Sequence, residues 1–521
     1  MSLSGMSGSE VDHRLAALSS NVNAVRTIAA AVEGTIGSKG LDTMLVDRFG
    51  DVVITNDGIT ILSRMEVKHP AARMVIGTAR AQEEEIGDGT TTATIMAGTL
   101  LSEGLSQVAR GVPITRIIEG IRSGIQTALK AMEARAVSVA SAEDPLLKRV
   151  ALVAGRGHRD IADLVTAAAG MVDPDRMENP AFRLADTVLA REGAESGVLS
   201  GVVLDKRPLE EEGPQVLEPA RILMVDDGLE PEEMEEEALS TEAGFTRYLD
   251  VKERFRRSIA ALPDLGVNLI IAARGVSDEV QEILGGSGIM IIRRVSSRDM
   301  KKVAAHTGAR PVKRTALGRP REELEACLGS ARTVRADGKL KQVAILEGAG
   351  RPMATILIGA ATGEVVDERE RIARDAAGAV QAALRGGVVP GGGALELACS
   401  VEVQRSRSGE KGMTAYGVDC VVEALRRPFS QIVANAGFNP LEKMGDVMSQ
   451  IGPEPTGRLG LDLDTGDIAD MWELGVLDPL LVKSHALKAA GEIAEAILRI
   501  DTVIKKREEG QSGGAGEDSG G

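Results

Sequence analysis

The chain reads as helical at both ends and β-rich in the middle, a pattern that calls for one domain inserted into another. Val22, Val25, Ile28, Ala29, Val32 and Ile36 recur at helical spacing and predict an amphipathic helix ending near Gly37. A short strand pair is predicted around Met44–Asp47 and Val52–Thr55, then a turn at Asn56-Asp57-Gly58. Pro70 suits the first position of another helix. Helix continues to about Ala168, interrupted at Pro113 and around Gly155–Gly157. After about Arg191, short strands are expected at Gly201–Leu204, Arg221–Val225, Val267–Ala272, Gly288–Ile292, Val343–Leu346 and Ala354–Ile358. Ser277–Leu284 and Ser297–His306 read as helices between them, the mark of a separate α/β domain. From about Val366 the pattern is helical again, closing with a long helix marked by Leu481, Ala486, Leu487, Ala490, Ile493, Ala494, Ile497 and Leu498. The tail Gly510–Gly521 is expected to be disordered.

Composition narrows the class. A chain of 521 residues has a prior of roughly three or four domains. With 43% hydrophobic but only 2% aromatic residues, its cores must be aliphatic. A net charge of −16 argues against nucleic acid or an anionic membrane as partner, because phosphate neutralisation needs Lys and Arg. Cys327, Cys399 and Cys420 have no metal-ligand rhythm and read as buried thiols, and the five histidines are equally scattered. Met1–Glu10 lacks the apolar core of a signal peptide, and no apolar run reaches roughly 18 residues. The expectation is a soluble, cytoplasmic protein.

Gly87-Asp88-Gly89-Thr90-Thr91-Thr92, followed by the apolar run Ala93–Leu101, carries the chemistry. Two glycines allow close backbone approach, three hydroxyls can donate to phosphate, and a helix N-terminus offers free N–H groups to an anion. Asp88 would repel phosphate unless a cation lies between them, which suggests Mg²⁺. A Gly/Thr-rich helix cap is the plainer alternative, and no GxxxxGK[ST] stretch is present. Gly391-Gly392-Gly393 before a helix starting near Ala394 permits another close approach, or is simply a mobile loop. Asp375, in the charged helix start Glu368–Ala376, borders the apolar stripe Ile372, Ala376, Ala379, Ala383; by itself it reads as a solvated charge. Asp57 by itself reads as a turn residue.

Together these motifs resemble the chaperonins, and more closely the group II, thermosome-type class. The segments that match are Ile36–Gly40, Met44–Leu62, Gly87–Thr92, Glu368–Asp375, Val388–Gly393, and Gly475–Pro479 with Val482-Lys483. The resemblance implies a multidomain α+β fold. It would have a mostly helical, discontinuous equatorial domain (1–140 and 388–509), a small intermediate domain (141–200 and 351–387) and an inserted α/β apical domain (201–350). A helical protrusion is expected at about 228–258, with 510–521 as a tail. ATP and Mg²⁺ are the implied cofactors, Asp88 the metal ligand, and Gly89, Thr90, Thr91 and Thr92 the wrap around the phosphates. Gly37 and Ser38 would line the same pocket, Gly391 and Gly392 would lie near the base, and Asp478 at the ribose. Asp57 and Asp375 would orient and deprotonate the attacking water. The implied activity is ATP hydrolysis that drives ring closure around unfolded polypeptide, in a double ring of this chain or its paralogues.

Within the expected protrusion, Pro231–Glu237 is acidic and should be a solvated face. Phe245 and Tyr248, two of only nine aromatic residues, are candidates for client contact; packing onto their own domain is the alternative. The family pattern is broken at Ser38, where proline is usual, at Gly359, where arginine is common, and at Arg156 or His158, which replaces a lysine. A competing reading is an accessory ATP-binding subunit of a mixed ring with little folding activity. An unrelated small-molecule phosphotransferase would need an acceptor site, for which no motif is present.

Overall fold

The computed structural model describes residues 8–210, 212–231, 241–452 and 455–502. The expected tail and most of the acidic run Pro231–Glu237 lie outside them. The chain forms two compact units, one from residues 1–137 with 388–521 and the other from 138–387.

The first unit opens with α1 (Gly8–Glu33), the hairpin β1 (Thr43–Val46) and β2 (Val52–Thr55), then α2 (Gly58–Arg64), α3 (Pro70–Glu85), α4 (Thr90–Ala109) and α5 (Ile114–Glu133). Leu15–Glu33 of α1 has the length and mean hydropathy, 1.2, to cross a membrane. Its periodic side chains Leu18, Val22, Val25, Ile28 and Val32 are instead the buried stripe of an amphipathic core helix.

The second unit runs α6 (Pro145–Ala154), α7 (Arg159–Met171), α8 (Pro174–Glu178), β3 (Val188–Glu192), β4 (Gly197–Leu199), β5 (Gly201–Leu204), β6 (Val216–Leu217), β7 (Ala220–Val225) and α9 (Glu242–Ala260). It continues with β8 (Leu269–Ala272), α10 (Asp278–Leu284), β9 (Met290–Ile292), α11 (Ser297–Thr307), α12 (Arg321–Glu325), β10 (Gly329–Asp337), β11 (Gln342–Gly348), β12 (Thr355–Ala360) and α13 (Gly363–Gly386). Its main sheet has the order β5-β11-β10-β7-β8-β9, with β6 beside β10; β7, β8 and β9 are parallel. Alternation along β8 sends Leu269 and Ile271 to the core that includes Met300 and Val303 of α11. Ile270 and Ala272 face the opposite core, built on Phe255 and Ile259 of α9 and Val280 of α10. Helices on both faces explain why this strand is apolar throughout. A second sheet sets β12 parallel to β3 and antiparallel to β4. Here a β-carbon at Gly359 would stand 1.8 Å from the Ala194 carbonyl oxygen, so this chain has no room for a side chain at that departure from the family pattern.

The first unit resumes with β13 (Val388–Pro390), α14 (Ala394–Ser406), α15 (Ala415–Asn435), α16 (Pro440–Gln450), β14 (Leu459–Leu461), β15 (Ile468–Asp470), β16 (Leu477–Pro479) and α17 (Leu480–Leu498). Its core joins α1, α4, α5, α15 and α17 through aliphatic side chains such as Met96, Leu100, Ile117, Val421, Leu487 and Ile497. Helices α5 and α15 cross in backbone contact. A β-carbon at Gly120 would lie 2.0 Å from the Thr414 carbonyl oxygen, and one at Gly417 2.1 Å from that of Ile117. Alanine in a helix gains about 0.5–1 kcal/mol over glycine, but overpacking here costs about 1–3 kcal/mol. Gly417→Ala should therefore lower the denaturant midpoint of this unit, and an unchanged or raised midpoint would contradict the contact.

Candidate functional site

Between α3 and α4 the chain turns on Gly87 (φ 83°) and Gly89 (φ 82°), both in the left-handed region where a side chain is strained. Gly89 is the N-cap of α4 and no side chain caps that helix, so the first-turn N–H groups of a 20-residue helix are available to an anion. The Gly89 N–H donates to Asp88 Oδ1 at 2.5 Å. Next to this turn lies the start of α2. A β-carbon at Gly58 would stand 2.2 Å from Thr91 Oγ1 and 3.3 Å from Thr90 Oγ1, so only glycine lets the two helix ends meet. Asp57 is the N-cap of α2: its Oδ2 accepts from the Thr60 N–H at 3.1 Å and the Thr60 hydroxyl at 2.5 Å. The turn read at Asn56-Asp57-Gly58 is thus a helix start, and the Asp57 carboxylate is oriented by it.

On the other segment, β13 pairs with β16 so that Val389 faces Asp478, and the Gly391 N–H donates to the Val476 carbonyl at 2.8 Å. The Asp478 carboxylate lies across Gly391, where a β-carbon would be 2.9 Å from Oδ2. A β-carbon at Gly392 would be 3.3 Å from Met471 Sδ, and one at Gly393 2.8 Å from Phe429 Cα. Gly37 (φ 89°) meets the same helix, with Ile432 carbons 3.2 Å from its β-carbon position. Asn435 Nδ2 donates to the carbonyls of Glu33 (3.0 Å) and Ile36 (2.9 Å). Phe429, Ile432 and Asn435 share one face of α15, which thereby seats both the Gly37-Ser38 loop and the triple glycine.

The first turn of α17 joins these pieces. Val482 Cγ1 lies 2.8 Å from the β-carbon position of Gly89. The buried Lys483 Nζ lies 2.7 Å from both Glu396 Oε1 and Asp478 Oδ2. Burial alone would push the Lys483 ammonium toward neutrality, but the Asp478 and Glu396 carboxylates outweigh it and hold its pKa above the ordinary value. Lys483→Met leaves two carboxylates without a counter-charge, one of them wholly buried. It should destabilise this unit by about 3–5 kcal/mol, measurable by denaturant unfolding; a loss below about 1 kcal/mol, the range of an exposed pair, would refute this role.

Gly37, Ser38, Asp57, Asp88, Gly89, Thr90, Thr91, Thr92, Gly391, Gly392 and Asp478 all belong to the first unit. Asp375 belongs to the other unit, half-buried within α13. Around it Arg374 pairs with Glu370 at 2.6 Å, and Arg156, at φ 51°, pairs with Glu368 at 3.3 Å. His158 is the N-cap of α7. Phe245 on α9 is 52% exposed and Tyr248 half-buried, while Phe255 is core. Among the described residues no three His, Cys, Asp or Glu side chains cluster as metal ligands. One carboxylate still fits Mg²⁺, which takes its other ligands from phosphates and water. The open α4 N-terminus and the glycine cradles suit a nucleotide. Asn435, Gln82 and His485 escaped the sequence reading, for their partners lie about 400 residues away.

The model of the TCP-1/cpn60 chaperonin family matches residues 28–508. Relatives include thermosome subunit alpha of Halobacterium salinarum, 34% identical over 94% of this chain and 88% of that protein. A thermosome subunit of Pyrococcus abyssi is 33% identical over 96% of this chain and 94% of that protein. The crystal structure of a group III chaperonin in the open state superposes with a TM-score of 0.85, at 48% identity, covering 95% of this chain and all of that one. The fold is accordingly the multidomain α+β fold of a chaperonin, and the chain belongs to the TCP-1/cpn60 chaperonin family.

Proposed function

We propose that this chain is an ATP-hydrolysing chaperonin subunit that works in a double ring, in the cytoplasm, on unfolded polypeptides. The carrying observation is a run of contacts that ends on α17: Gly58 meets Thr91 in the first turn of α4, Gly89 at the cap of α4 meets Val482, and Asp478, lying across Gly391, pairs with Lys483. In this reading the N–H groups of α4 and the hydroxyls of Thr90, Thr91 and Thr92 would hold the phosphates, and Asp88 would hold Mg²⁺, which would supply charge neutralisation there. Gly37, Ser38, Gly391 and Gly392 border the nucleoside, and Asp478 receives the ribose. Asp57 and Asp375 orient the attacking water and take its proton. The 141–200 and 351–387 segments would form the intermediate domain and 201–350 the apical domain, with equatorial halves on either side. Identity to the group III structure exceeds that to the thermosome relatives. Together with Ser38, Gly359 and Arg156, this supports a divergent member.

The test is ATP turnover by the purified protein and by Asp57→Ala and Asp375→Ala. Each variant should lose about 10²–10⁴-fold in kcat while still binding ATP. A wild type as idle as its variants would favour the accessory-subunit reading. For the apical site, Phe245→Ser with Tyr248→Ser should weaken capture of an unfolded client severalfold in a light-scattering assay; unchanged capture would discard these residues as contacts.

A further inference from the structure

Gln82, in the last turn of α3, is wholly buried. Its Nε2 donates to the Asp88 carbonyl at 2.8 Å and lies 3.4 Å from the Val482 carbonyl. An amide nitrogen that faces two carbonyls cannot be turned over without setting oxygen against oxygen, so the orientation of the group is fixed. Its Oε1 then faces His485 Nδ1 at 2.5 Å, and that ring nitrogen must be the donor. The other ring nitrogen, Nε2, lies 2.7 Å from Glu85 Oε2. His485, Gln82 and the Asp88 carbonyl thus form one hydrogen-bonded line behind the turn that opens α4, with Glu85 beside the outer ring nitrogen. The turn is tightly bound on that side: a β-carbon at Gly89 would be 3.1 Å from Gln82 Nε2.

A wholly buried amide could serve stability alone, by satisfying two carbonyls. Its placement goes further. The Asp88–Gly89 peptide gives its carbonyl to Gln82 and, from its opposite edge, its N–H to Asp88 Oδ1, so fixing the carbonyl fixes the donor that orients the carboxylate. We propose that Gln82 is a positioning residue for Asp88, and that His485 holds the Gln82 amide in the orientation that lets it act. The proposal rests on reading Gly87–Thr92 as the phosphate and metal turn.

The test compares Gln82→Met, His485→Leu and His485→Gln with the wild type, in the full-length protein. Methionine keeps the volume of Gln82 and removes its donor; glutamine at 485 can still donate to Gln82 Oε1, whereas leucine cannot. Gln82→Met and His485→Leu should weaken Mg–ATP binding about tenfold, as loss of one to two hydrogen bonds would. Turnover at saturating nucleotide should fall less, and His485→Gln should restore the affinity. In nucleotide-free protein, backbone amides of residues 87–91 should exchange about tenfold faster in Gln82→Met and His485→Leu, with wild-type exchange in His485→Gln. Unchanged Mg–ATP affinity with faster exchange spread evenly through α3 and α17 would reduce Gln82 to a packing role and overturn the proposal. So would His485→Gln behaving like His485→Leu. If the wild type binds no Mg–ATP, the nucleotide reading fails, while the exchange measurements still decide whether the tether exists.

Discussion

A single buried ammonium organises the helical unit. Lys483 is placed at the start of the last long helix, and its charge is tolerable only because Glu396 and Asp478 arrive from two other segments to meet it. Each of those carboxylates in turn depends on the lysine, the wholly buried Glu396 more than the part-exposed Asp478. The start of α14, the end of β16 and the first turn of α17 are therefore locked by mutual need rather than by apolar contact alone. The neighbouring residues of that turn, Val482 and His485, reach the Gly89 turn and Gln82. The geometry of the two glycine-rich loops is thus referred to one helix end.

The helices were largely legible in the sequence because their buried faces repeat at the helical period: the stripe on α17 and the Pro70 start of α3 fall where the pattern placed them. Strands β5, β7, β8, β9, β11 and β12 were legible because they are rich in Val, Ile and Leu and buried. Strand β10 was not. Its outward side chains include Ser330, Arg332 and Arg335, and only Ala331, Val334 and Ala336 among its inner positions are apolar and larger than glycine. Strands β13 and β16 are three residues each and exist by pairing across the chain, which no local pattern reports.

At the site, glycines at unusual backbone angles could be suspected from composition, since few other residues tolerate such geometry. Asp57 could not be told from an ordinary turn residue, for the same Asx geometry serves both, and only the packing of Gly58 on Thr91 distinguishes it. Gln82 and His485 gave no sign at all. A buried glutamine looks like any polar residue on an amphipathic helix until its partners in α17 are known.

Runs of very small side chains share the buried faces of these helices with larger ones: Ala373, Ala376, Ala377, Ala379 and Ala383 line α13 beside Ile372 and Val380, and Ala93 and Ala97 sit within α4 beside Met96 and Leu100. Most proteins with such tight helix crossings risk holes when a large side chain is shortened. At these alanine positions there is little left to shorten. A single-nucleotide change in an alanine codon yields mostly bulkier or charged residues, so spontaneous variation along these faces pushes outward against neighbours. Drift in this chain is consequently expected to accumulate on the solvent sides of the helices, leaving the alanine faces as its slowest-changing record.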